Sequence, residues 1–418
     1  MSGRLRIWLV ALTVAALAVT GVTGTVVYLE HQRDGLEQGD HEFPTSLGKH
    51  LEKLKEAIPG NGGESAEGPG SSADAAFAER AYPGDSISVA QMDKARASWA
   101  KASQRKVKPT GSWTQAGPSQ ALYPFTPLRN SDSYVPNEYI ASGRATDSAI
   151  ARTCSPGSCR MYVTPAGGGV WRTDDALATT PSWTYLGGPL GINAAGTVTI
   201  DPNNPDAVWV GTGEANTCGS GCVAGVGLYK STDAGAHWTG PLGKPELGGK
   251  GIAEIAINPV TPSIVYAATT TALRGMSSVC CSGVTRPVPG AAQWGLYKST
   301  DGGTSWTFIH NGSASAGDCT GSAAEFANTA TCSPRGVRAF ELDPVNPDIL
   351  YAGSYARGIW RSGDAGATWT QIKPSLNSGK IQTRPAFDVV KLANGNTRMY
   401  VAEGNTGANP SQFWRSDD

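Results

Sequence analysis

Acidic and basic side chains follow the ends of several apolar segments of the chain. Glu214 comes two residues after the segment AVWVGT, and Glu403 directly follows RMYVA. Two carboxylates can act as acid and as base or nucleophile in cleaving a glycosidic bond. The loops around these positions hold side chains that could hydrogen-bond a ligand, namely Asn216, Arg274, Arg286, Tyr355 and Arg357. We therefore predict a ligand-binding surface made of loops, with Glu214 and Glu403 as the candidate catalytic acids.

A repeated hairpin has to position these loops. The stretch Ser299–Trp306 follows an alternating apolar and polar run, and other copies keep Ser or Thr, Asp and Trp in the same order. Two antiparallel strands joined by a turn give this pattern. An acid that recurs in every unit is better suited to accept hydrogen bonds from turn N–H groups than to catalyse a reaction at one point. The predicted structural residues are Asp175, Asp233, Trp238, Asp301, Trp306, Asp364 and Trp369.

A second repeated block precedes each hairpin. It consists of a short strand, a turn bracketed by prolines and an apolar strand, as in Gly196–Thr212. With the hairpin, each unit has four antiparallel strands, which is one blade of a β-propeller. The sequence therefore predicts an all-β fold, a β-propeller with about five visible blades, the last of which is incomplete. With 53 Gly and 27 Pro residues, the composition suits such a turn-rich fold.

The S-x-D-x-G-x-x-W hairpin resembles the Asp-box, or BNR repeat. Its pairing with DPxNPxxVYxGT is similar to the propellers of sortilin-type receptors, xyloglucanases and photosystem assembly factors. The resemblance covers about Ser112 to Asp418. It implies the fold but does not choose a function, because sialidases, other glycan hydrolases and pure binding propellers share the motif.

The enzyme sites that the resemblance implies are incomplete in this sequence. A sialidase-type arginine triad could use Arg144, Arg338 and Arg384, but the F/Y-R-I-P signature is absent. A xyloglucanase-type first blade would match Tyr162–Gly169, where Ala166 replaces the catalytic Asp. No G-x-S-x-G nucleophile elbow of a Ser-His-Asp hydrolase is present. The sequence thus lacks a complete set of catalytic residues for each of these three enzyme classes.

Propeller topology divides the turns and loops between two faces. If the Asp hairpins lie on one face, the irregular loops lie on the opposite face, where binding residues of rigid rings are usually found. The innermost strands carry a second set of charged residues, which either face a central channel or form ion pairs that line it. This set contains Arg144, Asp147, Glu254, Arg338, Glu341 and Asp388.

Eight cysteines indicate an oxidising compartment. Cys154 and Cys159 flank the position of a Pro turn and are predicted to close that hairpin, and Cys319 with Cys332 would close a second loop. The other four are Cys218, Cys222, Cys280 and Cys281, and the adjacent last two are either a structural staple or a redox-active or bridging pair. Only His237 and His310 lie within the repeats, without a thiol motif, so no metal site and no cofactor is predicted.

The N-terminal segment predicts export. Arg4 and Arg6 precede an uncharged run from Ile7 to Leu29 that is long enough to span a membrane, although a cleaved signal peptide is the alternative. We therefore predict a signal anchor or signal peptide at 1–29, a flexible linker at 30–110 with possible helices at Ser46–Ala57 and Ser88–Gln104, and the propeller at 111–418. The second helix is interpreted as a solvated helix, with an amphipathic helix that docks on a partner as the alternative.

The two ends of the propeller raise one more alternative. The strand around Trp113 resembles the last strand of a blade, and the final repeat stops at Asp418 within its turn. Either the Trp113 strand completes the last blade of a five-bladed ring, or the sequence is a fragment of a larger ring, which we favour.

The sequence thus predicts an exported propeller, membrane-tethered or secreted, that binds a glycan or an extracytoplasmic protein. The alternative is a glycoside hydrolase that resembles sialidases or xyloglucanases. The formal net charge of -1 and the lack of a basic stripe exclude a nucleic-acid partner.

Overall fold

The structure of the protein is a computed structural model. It describes residues 79, 82–84, 87–103, 121–122, 140–141, 144–215, 223–272, 290–319, 331–376, 383–404 and 411–417. The chain forms two compact units, Met1–Ser86 and Ile87–Asp418. Several predicted features lie outside the described residues: the apolar run at 7–29, the helix at 46–57, Trp113, Asp418, Cys218, Cys222, Cys280 and Cys281.

The second unit begins with a helix, α1 (Val89–Ser103). Ser88 and Gln91 form a reciprocal cap, because each side chain accepts a hydrogen bond from the backbone N–H of the other residue (3.2 and 2.6 Å). Ala, Lys, Gln and Arg dominate the helix and have high helix propensity. A short helix, α2 (Lys244–Leu247), follows later in the unit.

Antiparallel strands are the main regular elements of the second unit. Two short strands, β1 (Ala121–Leu122) and β2 (Ile140–Ala141), pair with each other. The first sheet contains β3 (Ala145–Ile150), β4 (Met161–Pro165), β5 (Trp171–Thr173) and β6 (Thr184–Tyr185). The second contains β7 (Ala195–Asp201), β8 (Asn204–Thr212), β9 (Leu228–Ser231) and β10 (Thr239–Leu242).

Three further sheets repeat the same order. The third contains β11 (Gly251–Ile257), β12 (Val265–Thr270), β13 (Leu296–Ser299) and β14 (Thr307–His310). The fourth contains β15 (Val337–Leu342), β16 (Leu350–Ser354), β17 (Gly358–Ser362) and β18 (Thr370–Lys373). The fifth has three described strands, β19 (Arg384–Lys391), β20 (Thr397–Gly404) and β21 (Gln412–Asp417).

The sheets pack side by side through their first strands, in the order β3, β7, β11, β15 and β19. An apolar cluster fills each interface between consecutive sheets. An all-β fold of four-stranded antiparallel sheets packed in this way fits a β-propeller, as the sequence predicts. The four interfaces are represented by Tyr162 with Val208, Trp209 with Ile255, Tyr266 with Phe340, and Tyr351 with Met399.

Three hairpin turns share one hydrogen-bond network, and we call them the Asp turns: Ser231–Trp238, Ser299–Trp306 and Ser362–Trp369. In the second of them, the buried Ser299 hydroxyl accepts the Gly303 N–H (2.8 Å) and donates to Asp301 (2.8 Å). Asp301 also accepts the N–H of Ser305 (2.9 Å) and its hydroxyl (2.6 Å). These bonds lower the pKa of Asp301 to about 2. The acid therefore acts within its own turn.

The Asp turns also join neighbouring sheets. Gly303 has a φ of 93°, and a Cβ atom there would lie 2.7 Å from the Trp209 ring of the second sheet. Trp369 donates from Nε1 to the carbonyl oxygen of Ile309 in the third sheet (3.1 Å). Glycine and tryptophan are thus required by the contact between sheets as well as by the turn itself.

The first copy of the motif differs from the Asp turns. Its extra residues separate Asp175 from Trp183, which is 40% exposed, so this tryptophan does not fill an interface as Trp306 does. Asp175 instead lies against the hairpin closed by the Cys154–Cys159 disulfide, and it forms a backbone bridge with Cys159. The extra residues between Asp175 and Trp183 therefore explain why this copy does not form an Asp turn.

Two predicted disulfides are confirmed. Cys154–Cys159 closes the turn between β3 and β4, and Cys319–Cys332 closes the connection between the third and fourth sheets. Two structural disulfides suit an oxidising compartment.

None of the helices among the described residues has the length and apolar character needed to span a membrane.

Candidate functional site

Strand direction places the turns and the loops on opposite faces. The Pro turns and Asp turns contact each other, since Ala234 N–H donates to the Asp206 carbonyl and Ala365 N–H donates to that of Asp348. The connections between second and third strands, and between consecutive sheets, lie at the other ends of the strands. We call this second side the loop face. Of the predicted binding residues, Asn216, Arg274 and Arg286 lie outside the described residues.

Glu214 lies just beyond the loop-face end of β8 and is buried. Its carboxylate forms an ion pair with Arg144, which precedes β3 in the first sheet. The ion pair joins two members of the predicted sets and links the first sheet to the second. Because one oxygen of Glu214 already has a charged partner, this acid serves at least to hold two sheets together.

Tyr355 follows β16 on the loop face and is also buried. Its hydroxyl donates to the carbonyl oxygen of Ala215, next to Glu214, over 3.4 Å. The Arg335 guanidinium lies 5.3 Å from the centre of the Tyr355 ring. The structure therefore brings Tyr355 of the fourth sheet and the Glu214 segment of the second sheet to one region of the loop face.

Glu403 lies near the loop-face end of β20, and its side chain is 0% exposed. Its carboxylate accepts from Lys373 Nζ (2.9 Å), Ser375 Oγ (2.6 Å) and Leu376 N–H (3.0 Å). All three donors follow or end the last strand of the fourth sheet. Glu403 therefore anchors the fifth sheet to the fourth, and it is not brought together with Glu214 by any described contact.

Arg357 follows Tyr355 on the same connection and is only partly buried. Its Nε donates to the carbonyl oxygen of Cys332 (3.1 Å), whereas Nη2 is buried without a hydrogen-bond partner among the described residues. Burial lowers the pKa of this guanidinium from its ordinary value. Of the predicted ligand-binding residues that the structure describes, Tyr355 is buried and Arg357 is partly exposed.

The first strands hold four of the predicted interior carboxylates. Asp147 accepts from Thr197 Oγ1 (2.6 Å) and Val198 N–H (3.0 Å), and Glu341 accepts from Val389 N–H (3.0 Å). Each of these acids thus links its own first strand to that of the next sheet. Glu254 and Asp388 lie on β11 and β19, close enough to interact electrostatically with this set.

Burial and like charge perturb the acids of the first strands. The pKa of Glu254 is raised to about 8, mainly by burial and then by Asp147 and Glu341, although Arg338 opposes the shift. The pKa of Glu341 is raised to about 8 by burial and by Asp388. Both carboxyl groups are therefore largely protonated at neutral pH, and each can donate a proton there.

Known proteins resemble this chain only distantly. No protein-family profile and no curated protein matches it. Among solved structures, a GH74 enzyme of Niastella koreensis matches with 20% identity and a TM-score of 0.41, over 66% of this chain and 36% of that chain. YCF48 from Cyanidioschyzon merolae matches with 14% identity and a TM-score of 0.37, over 65% and 71% of the two chains. The fold assignment therefore rests on the sheets themselves.

The shifted carboxyl groups predict an unusual pH dependence of stability. Glu254 and Glu341 ionise in the unfolded chain near pH 4.5 but in the folded chain near pH 8, so their stabilisation is complete below pH 4.5 and is lost as the pH rises through 8. Buried His310 has a folded pKa of about 3 and changes stability only below about pH 6.5. Each carboxyl group is therefore expected to contribute a fall of about 1–2 kcal/mol in the free energy of unfolding between pH 6.5 and 8. Buried Lys250 opposes this fall, because its lowered pKa makes stability rise with pH.

Chemical denaturation at both pH values measures this change. Glu254→Gln should flatten the dependence, because an amide does not ionise, while Asp206→Asn on the turn face should leave it unchanged. A pH dependence that is the same in Glu254→Gln as in the wild type would contradict the proposed ionisation.

Helix α1 packs on the loop face rather than being solvated on all sides, which corrects the favoured interpretation. Arg96 donates to the carbonyl oxygen of Leu190 (3.2 Å) and hydrogen-bonds the Tyr229 hydroxyl, and Asp93 pairs with Lys244 (2.9 Å). Between α1 and the segment 187–193 lies a cleft of about 460 Å³. The sequence offered no signal for this contact, because α1 precedes the repeats.

A second feature that sequence reasoning missed is Lys250, which is fully buried below the loop face. Its Nζ donates to the Tyr297 hydroxyl (3.0 Å) and lies 4.4 Å from the ring centre, and burial lowers its pKa well below the ordinary value. Its segment, GGKGIAE, gives no sign of burial.

Among the described residues, no group of three His, Cys, Asp or Glu side chains is placed to hold a metal ion.

Proposed function

We propose that the protein is a binding module, an exported Asp-box β-propeller whose loop face binds a glycan or an extracytoplasmic protein. One observation supports this most strongly: both candidate catalytic acids have structural partners. Glu214 pairs with Arg144, and Glu403 is enclosed by three donors of the fourth sheet. No contact among the described residues joins the two acids. The loop face then binds a partner through non-covalent contacts, and the partly exposed Arg357 belongs to that surface.

A glycoside hydrolase is the second candidate, and a specific observation favours it. Glu254 and Glu341 have pKa values raised to about 8, as a general acid working near neutral pH requires. They lie on first strands of adjacent sheets. The acids of a hydrolase would then be in the interior channel and not at Glu214 or Glu403.

Release of reducing ends from a panel of soluble polysaccharides separates the two candidates. The binding module gives no turnover, and Glu214→Gln and Glu403→Gln change nothing in that assay. The channel hydrolase gives turnover that falls by about 10²–10⁴-fold in Glu254→Gln or Glu341→Gln. Asp206→Asn on the turn face is the control for general damage. Any turnover would contradict the binding module, and its loss in Glu214→Gln or Glu403→Gln at an unchanged unfolding midpoint would assign the reaction to those acids.

Localisation forms the other half of the proposal. The two disulfides support export, and residues 7–29 would supply either a membrane anchor or a cleaved signal. A full-length chain with a C-terminal tag should be found outside the cytoplasm. If the segment 7–29 is retained as an anchor, the tag remains in the membrane fraction after a high-salt wash. If that segment is a cleaved signal, the tagged protein is released from the membrane. A tag that stays in the cytoplasm contradicts export.

A further inference from the structure

We propose that the cleft between α1 and the segment 187–193 binds a ring of a neutral glycan, which stacks on the indole of Trp99. The inference rests on the proposed binding function and assigns it a site and a ligand class. It places the site at the edge of the loop face, over the connection between the first and second sheets, and not at Glu214 or in the interior channel.

The cleft combines an exposed aromatic wall with a glycine-rich floor. Trp99 is 58% exposed, although it belongs to a helix that is otherwise anchored to the loop face. Gly187, Gly188 and Gly191 line the opposite side. A Cβ atom on Gly191 would lie 3.8 Å from the Trp99 ring and 3.7 Å from Arg96 Nη2, so the backbone of this glycine lies against the edge of the indole. An aromatic wall beside a glycine-rich floor suits a ring-shaped ligand that stacks on the indole face.

The helix that carries the indole is held in place before a ligand arrives. Arg96, one helical turn before Trp99, fixes α1 to Leu190 and Tyr229, and Tyr229 itself donates to the Leu190 carbonyl (2.8 Å). The Asp93–Lys244 ion pair holds the preceding turn of the helix, and Met92 packs on the core between the first and second sheets. Such preorganisation reduces the entropy lost on binding.

The charges around the cleft favour an uncharged ligand. Among the described residues, no carboxylate lines the cleft to pair with a cation. Arg96, the one charged residue of the described lining, already uses its guanidinium to hold the Leu190 carbonyl and the Tyr229 hydroxyl. Asn193 adds an amide that can both donate and accept. Hydroxyl groups around an otherwise apolar ring match this surface, whereas a strongly acidic or basic peptide does not.

An aromatic surface continues beyond the cleft. The Tyr185 ring adjoins Gly187 and is 5.2 Å from that of Trp171, and both are partly exposed at the outer strands of the first sheet. Further sugar rings of the same chain could stack there. The geometry therefore points to an oligosaccharide rather than a single sugar.

Titration calorimetry on the full-length chain tests the proposal. The probes are neutral hexa- and tetrasaccharides of β-1,4-glucan, β-1,3-glucan, α-1,4-glucan and β-1,4-mannan. We expect saturable binding of at least one probe, a loss of about tenfold or more in affinity for Trp99→Ala, and a smaller loss for Tyr185→Ala. The control is Phe413→Ala, which removes an exposed aromatic ring from β21 in the fifth sheet.

The outcomes separate this inference from the proposed function. Binding that weakens in Arg357→Ala but not in Trp99→Ala overturns the cleft and leaves the loop-face module standing. The result is the same if no neutral probe binds but a protein partner is captured and that capture is lost in Arg357→Ala. The cleft proposal is then overturned, and the loop-face module still stands. Equal weakening by Trp99→Ala and Phe413→Ala indicates non-specific adhesion and overturns the cleft. A circular dichroism spectrum and an unfolding midpoint like those of the wild type exclude misfolding of Trp99→Ala.

Discussion

Replacing Lys373 by methionine is expected to lower the free energy of unfolding by about 3 kcal/mol, because it leaves the buried Glu403 carboxylate without its charged partner. The lysine is 19% exposed and its Nζ also lies 3.7 Å from the centre of the Trp414 ring, so the ammonium bridges the fourth and fifth sheets. Ser375 and Leu376 still donate to the carboxylate, which keeps the expected loss at the lower end of the range for a broken buried pair. Urea denaturation measures the loss.

The double variant Lys373→Met with Glu403→Gln provides the matched control. Removing both charges should restore more than half of the lost stability, since no ionised group is then buried alone. If Glu403 were a solvent-facing catalytic acid, Lys373→Met would cost less than about 1 kcal/mol, as for an exposed pair. That result would remove the main support for treating Glu403 as an anchor.

Trp306→Ala is expected to cost about 3–5 kcal/mol of stability, because it opens a cavity between the second and third sheets. Trp306 is 7% exposed, belongs to the cluster that contains Trp209 and Leu247, and donates from Nε1 to the Gly303 carbonyl (3.0 Å). The substitution therefore removes both the packing and the closing bond of an Asp turn.

The first copy of the motif supplies the control for this prediction. Trp183 has the same position in the repeat but is 40% exposed, so Trp183→Ala should cost less than about 1 kcal/mol. Both variants are compared by urea denaturation. Equal losses would mean that the motif position, and not burial at the sheet interface, decides the contribution of the tryptophan.

Much of the fold could be predicted from the sequence, because each repeat carries its own turn chemistry. Alternating residues mark the strands, and the Ser–Asp–Gly spacing matches a turn whose donors and acceptors are all local. The Cys154–Cys159 and Cys319–Cys332 bridges could be predicted from their spacing within and between the repeats. The difference at Asp175 could not, since the effect of extra turn residues depends on the neighbouring Cys154–Cys159 hairpin.

The candidate site was less predictable, because its contacts join distant parts of the chain. The sequence identified Glu214 and Tyr355 as loop residues, but only the fold shows that Tyr355 bonds to the segment next to Glu214 and that Arg144 pairs with that acid. The docking of α1 depends on Arg96 meeting a carbonyl and a tyrosine more than ninety residues away. Neither feature leaves a local pattern in the sequence.

The central claim is that the turn face stabilises the fold and the loop face binds the ligand. Measuring stability and affinity on the same two variants tests this claim most directly. We predict that Trp306→Ala lowers the free energy of unfolding yet keeps the wild-type Kd for the best-binding neutral hexasaccharide at a temperature where the variant is folded. Trp99→Ala should weaken that Kd by about tenfold and keep the wild-type free energy of unfolding. The opposite pattern, with affinity lost at the Asp turn and stability lost at α1, would contradict a structural turn face and a binding loop face.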